Sequence, residues 1–381
     1  MDPRQDDLLF IVEKELRATP FIDIHTHLFM PSLGDLGLWG IDELLTYHYL
    51  EAELFRSSTV RPEQYWALPK KAQADLVWQT LFVENAPVSE STRGVIAVLD
   101  AFGLPTSAPD LDAARRFFES RDRDSHIVDV LKLAGISEVV MTNDPLDPAE
   151  APLWEKGLDS HPHFHAALRL DRFLQQGGSL NLEAWCRRMK PVYMAVSLPD
   201  TFTGDPVLES TVLPVCREFN IPLSLMIGVR RQVNPALRLA GDGMGRADLR
   251  CLERLCRDHP DNRFLVSVLS RENQHELCVL ARKFANLMPF GCWWFLNNPS
   301  IVEEITRERI EMLGMSFIPQ HSDARVLEQL IYKWKNTRRT LAPILANSYQ
   351  LLFDDGRAPT RQEIRRDITR LFRSNFEQWT N

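Results

Sequence analysis

Eight short β-rich runs, each followed by a polar or helical stretch, and a His-x-His that ends the first of them predict an α/β protein: a (β/α)8 TIM-like barrel with a long helical insertion after its first strand. Apolar strands alternating with helices point to a parallel sheet covered by helices, and eight such units close on themselves. No Gly-x-Gly-x-x-Gly follows any strand, which speaks against an open doubly wound sheet. With 381 residues, the whole chain is expected to form one metal-dependent barrel domain, since barrels reach this length when they carry insertions.

The elements follow in order. Residues 7–17 (DLLFIVEKELR) space their apolar side chains as a helix does, and Thr19-Pro20 ends it. Phe21-Ile22-Asp23-Ile24 reads as the first strand and runs straight into His25-Thr26-His27. From about 29 to 135 the pattern turns helical and irregular, with apolar residues at i, i+3 and i+4 in ADLVWQTLFVEN (74–85) and AARRFFES (113–120); this is the expected insertion. The other β-rich runs are 138–144, 163–171, 192–198, 222–229, 263–269, 286–291 and 315–323. Residues 327–380 are helical in pattern and rich in arginine.

Composition narrows the function. Hydrophobic residues make up 44% and charged residues 25% of the chain, enough for a sizeable core. With 44 basic against 52 acidic residues, a net charge of -8 and no long Lys/Arg block, nucleic acid is not an expected partner. A small anionic ligand is compatible with that charge, because local arginines set the sign of a cleft. The six cysteines include no Cys-x-x-Cys pair and read as reduced thiols. The first residues are too acidic for a signal peptide, and no apolar run reaches the ~18 residues of a membrane span. The expected location is therefore the cytoplasm.

Residues i and i+2 of a strand face the same side, so His25 and His27 present two imidazoles to one point at the C-terminal rim, where barrel sites form. Asp323 ends the last β-rich run. In a closed barrel the first and last strands are neighbours, which brings its carboxylate to the same point. The alternative for Asp323 is a helix cap, since ARVLEQLIYKWK follows it. Two imidazoles and a carboxylate form a donor set for one divalent metal, with zinc expected and manganese the alternative. Three protein ligands leave one coordination position open for chemistry. His161, His163 and His165 also alternate, but the first two flank Pro162 and are read as a solvated turn.

Taken together, these residues resemble the uronate isomerase (glucuronate isomerase) family of the amidohydrolase superfamily over about residues 20–375. FIDIHTHL is similar to its first-strand metal motif, and His48-Tyr49 to the His-Tyr of its insertion. Asn143-Asp144-Pro145 resembles its second-strand Asp-Asp-Pro, and Arg169-Leu170-Asp171 its Arg-Pro-Asp. Met226 to Arg231, the GCWWFLNN segment (291–298) and Ser322-Asp323-Ala324-Arg325 resemble its fifth-strand, Trp-Trp-Phe and terminal Asp-Ser-Arg segments. The chain departs from the family at two places: Met226 stands where a histidine is usual, and Ser197-Leu198-Pro199 where Asp-His is usual.

The resemblance implies interconversion of an aldose hexuronate and its keto form, D-glucuronate with D-fructuronate or D-galacturonate with D-tagaturonate. It implies metal ligation by His25, His27 and Asp323, with Asp323, Tyr49 and His48 as the acid/base groups. Arg325 and Arg169 are then candidates to clamp the substrate carboxylate, and Trp293 and Trp294 to line the sugar pocket. Tyr49 and the tryptophans also read as packing residues, and the arginines as salt-bridge partners. Two other functions remain open at this stage: a metal-dependent hydrolase or lactonase of a sugar acid, and a catalytically silent barrel that binds one. A homo-oligomer is compatible with either.

Overall fold

Seven parallel strands hydrogen-bond side by side in chain order in the computed structural model, which describes residues 5–158, 160–177 and 179–380. Residues 1–4, the start of the N-terminal segment, lie outside that range. The strands are β1 (Phe21–Thr26), β2 (Ile136–Asn143), β3 (Phe164–Arg169), β4 (Met194–Pro199) and β5 (Leu223–Arg230). A two-residue strand β6 (Gly243–Met244) pairs antiparallel with β5, and β7 (Phe264–Val268) and β8 (Leu287–Pro289) complete the curled sheet. Every residue of β1 and β7 is buried, as expected for strands covered on both faces.

The eighth β-rich run, 315–323, does not form a regular strand. It makes a single parallel bridge, Ile318 with Phe290, through Ile318 N–H to Pro289 O (3.0 Å) and Gly291 N–H to Ile318 O (2.8 Å). Pro319 has no N–H to continue the ladder, and Asp323 turns the chain into the left-handed region with φ 53. On its other side the same segment reaches β1, where His27 N–H donates to Ala324 O (2.7 Å) and Asp323 N–H to His25 O (3.2 Å). The run thus touches both β8 and β1 while lacking strand geometry.

Between β1 and β2 the chain is helical, including His48–Ser57, Glu90–Ala101 and Arg123–Ala134. The last of these starts on an Asp122 cap that accepts Ser125 N–H and stops at Gly135 in the left-handed conformation. The long helix Gln329–Asp354 packs against the N-terminal helix Gln5–Ala18 and against Glu90–Ala101 and Arg123–Ala134. Gly94 is required at one of these crossings, because a Cβ there would lie 2.8 Å from the Tyr332 ring. A wholly buried pair, His126 Nε2 and Glu328 Oε1 at 2.7 Å, ties Arg123–Ala134 to the start of the long helix. The same Glu328 oxygen accepts Gly40 N–H. No helix among the described residues is long and apolar enough to cross a membrane. All six cysteines are free and buried.

Candidate metal centre

β1 and the residue just past it carry the first two donors. Asp23 and His25 lie on β1 and His27 one residue beyond its end, in the same alternation, and each is fixed by a partner outside this segment. The buried Asp23 carboxylate accepts Ser322 N–H (3.1 Å) and Trp334 Nε1–H (2.8 Å), which pins the segment bearing Asp323 beside β1. Burial pushes the Asp23 carboxyl up to about 6, opposed by those hydrogen bonds.

The protons around the two imidazoles can be assigned from their partners. Tyr193 O–H donates to Ile24 O at 2.7 Å, so its oxygen accepts from His25 Nδ1–H at 3.3 Å. Thr142 Oγ1–H likewise donates to Thr26 O (2.9 Å) and accepts from His27 Nδ1–H (2.9 Å). Both rings therefore carry their proton on Nδ1, leaving lone pairs on Nε2. Burial lowers the basicity of both rings, His25 to about 3, with the Arg169 and Arg325 charges acting in the same direction, so neither is an imidazolium.

Asp323 Oδ1 lies 3.6 Å from His25 Nε2 and 3.3 Å from His27 Nε2, and it is buried without a hydrogen-bond partner among the described residues. Three lone-pair atoms thus face one another with no proton between them, all within 4.8 Å. Such an arrangement is repulsive unless a cation sits among the three. Metal bonds of about 2.0–2.2 Å in a tetrahedral arrangement put neighbouring donors roughly 3.3 Å apart, so the donor set fits a divalent ion. His25 and Asp323 are only 3% and 7% exposed, which keeps the charges in a low-dielectric site.

Thr142 tests the outer layer. Thr142→Val keeps the side chain's shape but leaves His27 Nδ1–H without an acceptor, and is expected to weaken metal binding about tenfold or more, as measured by competition with a chelator.

The remaining sequence-predicted residues fall into groups. His48 and Tyr49 begin the helix His48–Ser57, with their ring centroids 4.6 Å apart. His48 is buried with neither ring nitrogen hydrogen-bonded among the described residues, and it meets Trp294 edge-on at 5.7 Å. Burial, followed by the charges of Arg325 and His27, holds the His48 imidazole well below its ordinary pKa. Burial raises the Tyr49 phenol well above its usual range. Arg325 has a guanidinium with no ion pair or hydrogen bond among the described residues, while its backbone N–H is held by Gln329 Oε1. Arg169 differs, because its Nε and Nη2 already grip both Asp171 oxygens at 2.9 and 3.1 Å. Trp293 and Trp294 are both buried, and Trp294 adopts φ 46 with its indole N–H unpartnered among the described residues. Met226 is buried in register with Ser197 on β4 and Ser267 on β7. The ring nitrogens of His161, His163 and His165 have separate partners: His161 Nδ1 accepts His163 N–H, His163 Nδ1 binds Ser137 O and His165 Nε2 binds Glu138.

Sequence reasoning missed Tyr193, Thr142 and His321. His321 is fully buried beside His25, with ring centroids 5.1 Å apart, and neither ring nitrogen is hydrogen-bonded among the described residues. Gly291 makes room for it, since a Cβ there would lie 1.9 Å from the imidazole. The one signal available for Thr142 and Tyr193 is a hydroxyl inside an otherwise apolar strand run.

Comparison with protein-family models gives no match, nor does comparison with curated proteins. Among solved structures, a uronate isomerase from Bacillus halodurans C-125 is 46% identical, covers 99% of this chain and 97% of its own, and superposes with a TM-score of 0.95. A uronate isomerase from Thermotoga maritima (16% identity, 100% of both chains, TM-score 0.77) shares the fold. So does a glucuronate isomerase from Caulobacter crescentus (14% identity, 100% of this chain and 95% of that one, TM-score 0.67). With nearly half of its residues identical over the full length of the Bacillus protein, the chain belongs to the uronate isomerase family.

Proposed function

We propose that the protein is an intramolecular oxidoreductase that interconverts an aldose hexuronate and its keto form, D-glucuronate with D-fructuronate or D-galacturonate with D-tagaturonate. The observation that carries this reading is the full-length, 46% identical likeness to a uronate isomerase. The site supplies matching chemistry. Its frame is a (β/α)8 barrel in one domain, completed by the 315–323 segment, with residues 29–135 inserted after the first strand.

His25, His27 and Asp323 would hold one divalent ion, zinc by donor type with manganese as the alternative. Such an ion would supply Lewis-acid polarisation of the sugar oxygens and offset the negative charge that builds up when C2 loses its proton. Asp323 is the carboxylate placed to move a proton between C2 and C1. His48, kept neutral by burial, accepts a proton, and Tyr49, kept protonated by burial, donates one to the sugar oxygens. The unpaired Arg325 guanidinium takes the substrate carboxylate as a two-pronged partner. Arg169, with one edge committed to Asp171, adds positive potential and its remaining donors. Trp294, backed by Trp293, offers an apolar wall for the sugar. The six buried free thiols support a reducing, cytoplasmic setting, and a homo-oligomer is compatible with this site.

Proton NMR in D2O tests the assignment. With glucuronate or galacturonate, the C2 proton of the aldose is expected to exchange as the keto sugar appears. A metal-loaded protein that gives neither exchange nor product with either sugar contradicts it.

A further inference from the structure

Lys333 lies on the buried face of the long helix Gln329–Asp354, 5% exposed, and pairs with Glu90 Oε1 at 3.3 Å. Glu90 is itself only 13% exposed and sits in the first turn of Glu90–Ala101, where the helix dipole favours its charge. One turn further along that helix is Gly94, whose missing side chain lets Tyr332 pack close, so the two helices are brought into register at this pair. The ammonium also lies 5.3 Å from the Tyr49 ring centroid and 5.1 Å from that of Tyr332. A buried cation between two aromatic faces restrains both rings, because the attraction is strongest over the face and is not weakened by water. The Tyr49 hydroxyl is also hydrogen-bonded with Tyr47, whose ring meets it edge-on at 4.9 Å, so Tyr47 and the Lys333 ammonium together set where the phenol points.

We propose that Lys333 is a positioning residue: held by Glu90, its ammonium packs on the Tyr49 ring and, with the Tyr47 hydrogen bond, holds the phenol in its direction. The proposal rests on the hexuronate isomerase reading of the site. The Lys333–Glu90 pair joins the helices before β2 to the helix that follows Asp323.

A double-mutant cycle tests it, with steady-state turnover of the better hexuronate and metal content measured for each variant. Lys333→Met is expected to lower kcat about tenfold, with KM and bound metal nearly unchanged. Lys333→Arg, which keeps the cation over the ring, is expected to recover most of that loss. Combining Lys333→Met with Tyr49→Phe is expected to be no slower than Tyr49→Phe alone, because a residue acting through the phenol has nothing left to position. If the two losses multiply, or if Lys333→Met turns over like the parent, the role is overturned. Should Lys333→Met fail to fold, Glu90→Gln takes its place in the same cycle, with a smaller expected loss of about threefold and the same criterion. A parent protein that turns over no hexuronate would overturn the assigned reaction itself, whereas an active parent with multiplying losses overturns only the part given to Lys333.

Discussion

His27→Ala is expected to purify with most of its divalent metal gone and to lose at least about a thousandfold in hexuronate turnover, since the cation's stabilisation of developing charge is worth several kcal/mol. The reason lies in the balance among the three donors. Asp323 Oδ1 faces His27 Nε2 at 3.3 Å and His25 Nε2 at 3.6 Å, and all three present lone pairs. Removing one imidazole leaves two donors and a space that water fills, so the ion is held by a more flexible and more hydrated set. Thr142, whose oxygen accepts His27 Nδ1–H, loses its partner in the same step. Metal analysis of the purified variant checks the first half and steady-state kinetics the second. Full metal occupancy in His27→Ala would remove this residue from the ligand set.

Arg325→Met is expected to act differently. Its guanidinium is the uncommitted cation beside the imidazoles, and its charge contributes to lowering the basicity of His25, His27 and His48. Charge-assisted hydrogen bonds contribute about 1.5–3 kcal/mol each, so losing the two-pronged grip on the substrate carboxylate is expected to cost about a hundredfold or more in kcat/KM. Most of the loss should fall on KM, with metal content unchanged. Arg325→Lys, which keeps the charge without the planar fork, is expected to fall between the two. An Arg325→Met protein with parental KM would move the carboxylate site elsewhere.

The sequence made the opening strand easy to read, because Asp23, His25 and His27 interrupt an apolar run at a spacing of two and so share a face. It also pointed to Asp323, but only through a topological step, the adjacency of the first and last segments, and the hydrogen bonds of His27 and Asp323 across that seam have the required partners. The shape of the last segment was less legible: Pro319 and the left-handed Asp323 break the ladder that its β-rich composition suggested. The supports of the imidazoles were not legible at all. Tyr193 lies 168 residues from His25 in the chain, and no periodicity links a hydroxyl on one strand to a ring on another. Arg169 illustrates the same limit at short range. It and Asp171 are both visible in the sequence, yet only the turn at the end of β3 shows that they grip each other and leave Arg325 as the free guanidinium.

The central claim is that the lone pairs of His25 Nε2, His27 Nε2 and Asp323 Oδ1 enclose one cation. Anomalous X-ray scattering recorded across the zinc and manganese absorption edges, from crystals of the protein as purified, addresses it most directly. One peak within about 2.0–2.3 Å of all three atoms is the expected result. A well-ordered site with no peak there after loading with either metal, or a peak bound by other side chains, would contradict it.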